Sequence, residues 1–251
     1  TNTVTTAGDA STSGHGIYLW GAQLEESSTV GEYVKTTSTI NSAPRFDHDP
    51  ETGESLGLLV EEARTNLLLR SQELLTSPNQ SGASLSNFFT STVDSLPAPN
   101  GSTSQSVKFV STATTQQGLF LRQSGLSLTA QTYTVSAYVY VPTQANVPDW
   151  RLIVDFQDLD SVYSDVFTTF NQWVRVDVTT TLTSARNFVD FNFVLGDNSD
   201  YTNTAGITFY VWGIQLEAGS FPTSYIPTTG STVTRAADLA SISGNDFGTF
   251  N

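Results

Sequence analysis

Acidic side chains crowd one short stretch of the sequence, DFQDLDSVYSD, which spans residues 155–165. Two carboxyl groups held a few ångströms apart can hydrolyse a glycosidic bond, one as acid and the other as nucleophile or base. Carboxylates where a strand meets a turn more often form a solvated edge, and we favour that interpretation. No Gly-x-Ser-x-Gly motif occurs, and neither His15 nor His48 has serine and aspartate arranged around it. We therefore expect a protein that is not an enzyme, with no catalytic residue.

The same stretch and a nearby tryptophan have the residue types that bind sugars. An aromatic ring stacks on the C–H face of a sugar while polar groups fix its hydroxyls. Trp150 lies in VPDWR at a loop-to-strand junction, and Tyr163 lies between Asp160 and Asp165. These four residues are the candidate glycan-binding residues. Packing at the rim of the fold, or at a subunit interface, is the alternative for both rings.

The remaining tryptophans, Trp20, Trp173 and Trp212, lie within strand-like phrases. Large aromatic side chains in such positions most often pack in a core. We therefore predict that these three rings are structural.

A second acidic stretch, DHDPETGE, imitates the start of a calcium-binding loop. Asp47, Asp49 and Glu51 alternate before Gly53, as the ligands of such loops do. Pro50 and the lack of a distant bidentate glutamate break the pattern, so a plain turn is the favoured interpretation. No metal site and no cofactor are predicted from these residues.

Composition limits the classes of partner. The chain has 251 residues, with 24 acidic and 10 basic side chains and a formal net charge of −14. Such a field repels nucleic acid and anionic membrane surfaces. No run of 18 apolar residues and no signal peptide is visible. Cysteine is absent, which excludes disulfides and thiolate chemistry, and methionine is absent too, so we expect a piece of a longer protein.

Strand signals must provide the framework for these candidate residues. In QTYTVSAYVYVP, Tyr133 and the alternate residues through Val141 form one face, while Thr134 to Tyr140 form the other. Further strands are predicted at SVKFV, GLFLRQS and residues 150–158, 172–183, 187–196 and 207–217, with polar loops at 77–89 and 91–106. This spacing, with no convincing helical period, predicts an all-β protein built as an antiparallel β-sandwich.

The stretch from Val60 to Leu75 is the one helix-like patch, because its Glu, Ala, Leu and Arg content favours a helix. Leu67, Leu68 and Leu69 are consecutive, however, and do not follow helical spacing. We predict an extended lead-in segment with at most one helical turn.

One phrase occurs twice. YLWGAQLEESSTVGEYVKTT at residues 18–37 and YVWGIQLEAGSFPTSYIPTT at residues 210–229 share ten of twenty positions at a constant offset of 192. A constant offset indicates a duplicated unit. Within the second copy, Gly213 predicts a β-bulge or a close backbone approach, and Pro222 and Pro227 predict an extended departure from the sheet. The first copy is accordingly expected to be the closing strand of an upstream β domain.

These phrases, with PRFDHDPETGESLGLLVEEARTNLLLRSQEL at residues 44–74, VTRAAD at 233–238 and the tail SISGNDFGTFN, resemble modular phage virion proteins of the tail-fibre, tail-spike and head-fibre type. The resemblance implies carbohydrate-binding-module-like jelly rolls that alternate with linkers. It predicts the end of an upstream module at 1–40, a linker at 41–64, a complete jelly roll at 65–230 and a lead-out linker at 231–251. It further implies a location in the virion, other virion proteins as partners, and a homo-oligomer, with a trimer favoured. Jelly rolls of that family often hold a structural calcium, although no residue here identifies one.

The function expected from the sequence is therefore a structural component of a phage appendage that attaches to a host-surface glycan, with no nucleic acid bound and no membrane insertion. Two alternatives stay open. One is a carbohydrate-binding module of a secreted bacterial polysaccharide-active enzyme. The other is a connector module with no ligand.

Overall fold

The computed structural model describes residues 45–48, 54–75, 89–112, 119–145, 147–157, 161–195 and 205–238. The first copy of the repeated phrase, residues 18–37, lies outside the described residues, and so does Trp20. The chain divides into two compact units, Thr1–Leu59 and Val60–Asn251. In the described part of the chain, no helix has the length and hydropathy needed to cross a bilayer.

The described part of the first unit is a hairpin of two antiparallel strands, β1 (Arg45–His48) and β2 (Ser55–Leu59). It lies within the segment predicted as a linker. Phe46 is opposite Leu58, and the side chains of Phe46, Leu56 and Leu58 are 59%, 62% and 50% exposed. Asp49 and Glu51, which the sequence places in a plain turn by prediction, lie outside the described residues. Among the residues that are described, no group of three or more His, Cys, Asp or Glu is arranged to hold a metal.

The second unit is an antiparallel β-sandwich, as the sequence predicts. A five-stranded sheet has the order β10–β7–β12–β5–β4, formed by Trp173–Thr181, Thr132–Tyr140, Thr208–Ala218, Ser106–Ser111 and Phe89–Asp94. A four-stranded sheet has the order β6–β11–β8–β9, formed by Leu119–Leu128, Arg186–Leu195, Trp150–Phe156 and Val162–Tyr163. A short ribbon pairs β3 (Arg64–Asn66) with β13 (Val233–Arg235).

Alternation along each strand fills the space between the two sheets. On β7 the predicted apolar face is buried from Tyr133 to Val141, and Val135 packs there with no exposed surface. Phe109 and Phe209 from paired strands stack with ring centroids 5.2 Å apart, and Phe193 of the opposite sheet lies 5.7 Å from Phe209. Each fully buried side chain of this size contributes about 1.5–3 kcal/mol of transfer free energy. The jelly-roll core therefore follows from period-two patterning.

Of two local predictions, one is wrong in part and the other is confirmed. The stretch 91–106, predicted as loop, is wrong at its start, because Phe89–Asp94 forms the edge strand β4 against β5. Its polar alternation is what a half-exposed edge strand requires, and composition alone hides such a strand. Residues 60–75 are extended and contain β3, with no helix, which confirms the lead-in prediction.

The repeated phrase closes the sandwich through a bulge and two buried polar side chains. Register between β12 and β7 shifts between Trp212 and Gln215, and Gly213 has φ 62°, which confirms the predicted bulge. Glu217, fully buried, accepts hydrogen bonds from the backbone N–H of Thr223 at 2.6 Å and from its hydroxyl at 3.0 Å. Gln215, also fully buried, accepts the N–H of Ile226 at 2.7 Å. The segment after β12 is thereby held against the outer face of the five-stranded sheet.

The lead-in segment is joined to the same region. Asn66 is fully buried, donates to the carbonyl of Ile226 at 2.8 Å, and accepts the N–H groups of Leu68 and Leu216 at 3.1 and 3.2 Å. Arg235 pairs with Glu61 at 3.0 Å, and the two side chains are only 4% and 10% exposed. We call residues 61–71 and 215–238 together the clasp. The phrases EEARTNLL, QLE, SYIPTT and VTRAAD, which stand out in the sequence, meet in it.

Candidate functional site

Three aromatic side chains form a row across neighbouring strands on the outer face of the five-stranded sheet. Register places Trp173 of β10 opposite Tyr140 of β7, and Tyr140 opposite Tyr210 of β12. Tyr210 is opposite Lys108 of β5, which is opposite Thr92 of β4. Because side chains of paired residues point to the same face, all five lie on one surface. We call Trp173, Tyr140 and Tyr210 the aromatic row.

The rings of the row are adjacent but only partly covered. Ring centroids of Tyr140 lie 5.8 Å from Trp173 and 5.7 Å from Tyr210, with interplanar angles of 60° and 86°. The Lys108 ammonium lies 5.9 Å from the centroid of Tyr210. All three rings are half-buried, and the hydroxyls of Tyr140 and Tyr210 have no hydrogen bond to the described residues. The row therefore presents apolar ring surface together with hydroxyl and ammonium groups that can bond a ligand.

The orientation of Trp173 is fixed by the β4–β5 connection. Its indole Nε1–H donates to the carbonyl of Pro97 at 2.8 Å. This hydrogen bond holds the ring in one orientation, with its N–H directed toward the connection and away from the sheet. Core packing was predicted for Trp173, and that prediction is wrong, because its half-buried ring lies on the outer face of the five-stranded sheet.

The next row of residues on the same face is structural. Tyr138 and Trp212 have ring centroids 5.4 Å apart, and Tyr225 of the clasp covers Trp212 at 4.4 Å. Trp212 is buried, which confirms its predicted structural role. Burial raises the pKa of the Tyr225 hydroxyl, against a lowering by its hydrogen bond with Ser71. The clasp thus covers one part of this face and leaves the aromatic row open.

Trp150, a candidate from the sequence, lies in the core and not at the surface. Its side chain is 1% exposed, its ring stacks on Phe167 at 4.7 Å, and its Nε1–H donates to the carbonyl of Thr169 at 2.9 Å. A sugar cannot reach a ring packed on both faces, so the interpretation of Trp150 as a stacking platform is wrong. The signal that corrects it was in the sequence, because Trp150 has the same alternation as the buried Leu152 and Val154.

Tyr163 and Asp165 lie at the edge of the four-stranded sheet. Tyr163 is 49% exposed, and the guanidinium of Arg151 lies over its ring at 4.4 Å from the centroid. Asp165 is exposed, and Asp160 lies outside the described residues. Tyr163 pairs with Ile153 on the outer side of the sheet, whereas Trp150 points into the core. The structure therefore does not bring Trp150 and Tyr163 to one surface.

The outer face of the four-stranded sheet carries charged side chains beside its aromatic rings. Arg122 of β6 pairs with Asp190 of β11, with Nε 2.6 Å from the carboxylate, and lies 4.0 Å from the ring centroid of Phe188. The hydrogen bond to Asp190 raises the pKa of Arg122. Burial raises the pKa of Asp155, which is opposite Asp190, against a lowering by a hydrogen bond with Ser161. Two of the acidic residues in the 155–165 stretch, Asp158 and Asp160, lie outside the described residues.

The sequence matches no protein-family model and no curated protein. Solved structures give weak matches. The CBM22-1 and GH10 modules of Clostridium thermocellum endo-1,4-beta-D-xylanase 10B, complexed with xylohexaose, match at 11% identity and a TM-score of 0.41, over 53% of this chain and 25% of that chain. The CBM22-1 xylan-binding domain from Paenibacillus barcinonensis Xyn10C matches at 14% identity and a TM-score of 0.39, over 53% and 83%.

A third structure, described as Family 16 Carbohydrate Binding Module-2, matches at 18% identity and a TM-score of 0.38, over 60% of this chain and 99% of that chain. This chain spans about a quarter of the xylanase chain that it matches. All three structures contain carbohydrate-binding modules, and at these identities and TM-scores they assign no ligand to this chain.

Proposed function

We propose that the sandwich is a non-catalytic module that binds a polysaccharide along its five-stranded sheet. The observation that carries the proposal is the aromatic row. Three rings on adjacent strands, half-buried and side by side, offer stacking surface to consecutive sugar units. The fixed strands beneath them supply a preformed surface, which lowers the ordering cost of binding.

Polar groups beside the row suit hydroxyl recognition. Lys108 continues the row on β5, and the exposed Thr92 ends it on β4. Ammonium and hydroxyl groups next to stacking rings fix a sugar in one orientation. The row itself contains no carboxylate, so a binding role accounts for it and a glycosidase role does not.

The setting of this module is a separate proposal. A virion appendage, with other virion proteins as partners and a trimeric assembly, draws its support from sequence resemblance alone, in the phrases at residues 18–37, 44–74, 210–238 and 241–251. The structures described above contain carbohydrate-binding modules, and none is named as a virion protein. A module of a secreted polysaccharide-active enzyme therefore fits this fold at least as well. The genes that flank the coding sequence distinguish the two settings.

Affinity electrophoresis of the 251-residue chain through gels that contain xylan, mixed-linkage β-glucan or galactomannan tests the proposed binding. We expect retardation by at least one polysaccharide. Trp173→Ala and Tyr210→Ala should each weaken it about tenfold, which corresponds to about 1.4 kcal/mol. Phe221→Ala removes an aromatic ring that is 51% exposed but lies outside the row, and should leave retardation unchanged.

Tyr163→Ala separates the two candidate surfaces. The aromatic row predicts unchanged retardation for this variant, because Tyr163 lies on the four-stranded sheet. A loss for Tyr163→Ala with none for Trp173→Ala would return the site to the acidic edge. No retardation in any gel would favour the connector without a ligand.

A further inference from the structure

A concave surface lies at the clasp, away from the aromatic row. It is a groove of about 450 Å³ between the β3–β13 ribbon and the turn that joins β6 to β7. Its volume falls within the range of roughly 300–1,000 Å³ that is usual for ligand pockets. Its lining includes Glu62, Arg64, Thr65, Gln131, Tyr133 and Ala218.

The lining combines a small apolar floor with a polar rim. Leu67 and Ala218 provide apolar surface, whereas Tyr133 is buried, with only 2% of its surface exposed. Thr129 and Gln131 are exposed at the rim, where the Gln131 amide donates to the Tyr133 hydroxyl at 2.8 Å. Such a mixture favours a ligand with both C–H faces and hydroxyl groups.

Arg64 forms one wall of the groove in a constrained position. It pairs with Glu62, and its guanidinium lies 5.0 Å from the ring centroid of Phe221. Gly219, with φ 137°, has no Cβ, and the guanidinium occupies the space that a Cβ would need. The Arg64 side chain is 10% exposed, and its Nε–H has no hydrogen-bond partner among the described residues. An unpaired buried donor is unfavourable, so Arg64 retains hydrogen-bonding capacity that its present position does not use.

Two other classes of ligand, anionic ligands and wholly apolar ones, fit this lining less well. The one guanidinium in the lining is already paired with Glu62, and the chain has a net charge of −14, so an anionic ligand is disfavoured. A wholly apolar ligand would displace water from the exposed Thr129 and Gln131 side chains without replacing its hydrogen bonds. A neutral ligand with hydroxyl groups fits this lining.

Tyr133 and Tyr140 lie at opposite ends of β7, and Tyr133 faces the groove while Tyr140 belongs to the aromatic row. The separation along the strand is about 23 Å at the usual rise per residue. The two surfaces therefore cannot hold the same short ligand.

We infer that this groove is a second binding site, for a neutral saccharide of one or two units, independent of the aromatic row. Backbone amide NMR of the full chain during titration with cellobiose, xylobiose and lactose locates the binding directly. At least one of these sugars should shift the amides of Thr65, Gln131 and Ala218, and digalacturonate should not. Trp173→Ala should leave these shifts unchanged, which separates this inference from the proposed function.

Ala63→Trp fills the groove from an exposed lining position, and Ala236→Trp adds the same ring at an exposed position outside it. We expect the first variant to lower the affinity at the groove at least tenfold and the second to leave it unchanged. The inference is overturned if none of the three sugars shifts these amides up to tens of millimolar. Equal shifts in wild type and Ala63→Trp would overturn it as well.

Discussion

The clasp and the aromatic row lie on the same sheet but differ in their polar groups, which are buried and hydrogen-bonded in the clasp and partly open in the row. In the clasp, Gln215 and Glu217 are fully buried and bonded to backbone groups of the lead-out segment. In the row, the rings of Tyr140 and Tyr210 are partly open, and their hydroxyls have no bond to the described residues. Buried polar groups with full partners specify one arrangement of the chain, whereas open ones are available to a ligand. The groups that fix the course of the chain and the groups that are open to a ligand therefore lie in different parts of one sheet.

This difference between the clasp and the aromatic row explains why the repeated phrase, the strongest signal in the sequence, does not mark the proposed binding site. The repeated WGxQLE phrase supplies Gly213 for the bulge and Gln215 and Glu217 for the clasp. Trp212 within it is covered by Tyr225. The sandwich must hold its lead-in and lead-out segments whatever it binds, so the phrase at residues 210–229 serves the fold.

The largest expected effect comes from breaking the clasp at Arg235. Arg235→Ala leaves the carboxylate of Glu61 buried without its cation, which costs about 3–5 kcal/mol. For a domain of this size, that lowers the Tm by about 10 °C. Differential scanning calorimetry measures the change. The folded variant should still bind polysaccharide as wild type does, because the aromatic row is not touched.

Arg70→Ala is the matched control for this prediction. Arg70 pairs with Glu73, and their side chains are 28% and 46% exposed. An exposed pair contributes about 1 kcal/mol or less, so the Tm should fall by about 3 °C at most. Equal destabilisation by the two variants would mean that the buried Arg235–Glu61 pair stabilises the fold no more than an exposed pair does.

The second prediction concerns the bulge. Gly213 and Gly125 both have positive φ, at 62° and 76°, but a Cβ at Gly213 would lie 3.2 Å from the Tyr225 ring, and at Gly125 it would meet nothing within 4 Å. Gly125→Ala should therefore cost about 1 kcal/mol from backbone strain alone. Gly213→Ala should cost about 1–2 kcal/mol more, because Tyr225 must move off Trp212. Urea unfolding measures both, and equal costs would show that the bulge tolerates a side chain.

Strand positions and the core could be predicted from the sequence because both depend on alternation within a strand. The predicted strand at 131–142 is β7, and the predicted strand at 207–217 is β12, each within two residues at either end. Edge strand β4 was missed because its Thr and Ser content is that of a loop. The burial of Ser136 on the polar face of β7 was also unpredictable, because the segment that covers it comes from residues far away in the chain.

The aromatic row could not be assembled from the sequence because it depends on register between strands. Tyr140 falls on the outer face of β7 by alternation alone, and Tyr210 falls on the outer face of β12 in the same way. Nothing in either phrase says that they are opposite each other, or that β10 brings Trp173 beside Tyr140. Trp150 shows the converse error, since its junction position suggested exposure while its alternation with Leu152 indicated the core.

The smallest effect is expected on the other sheet, away from the clasp, at the partly buried carboxylate of Asp155. Burial raises the pKa of Asp155 above its ordinary value of 3.8, so folding favours its protonated form. Its stability contribution is full below pH 3.8 and is lost as the pH rises through the raised value. Asp155→Asn should therefore be more stable than wild type at neutral pH, by about 0.5 kcal/mol or less. That gain should shrink as the pH falls through the raised pKa toward 3.8. Urea unfolding at a series of pH values measures both variants. Asp165→Asn, at an exposed position, should change the stability little. A constant gain for Asp155→Asn at every pH would show that the charge of Asp155 is not the cause.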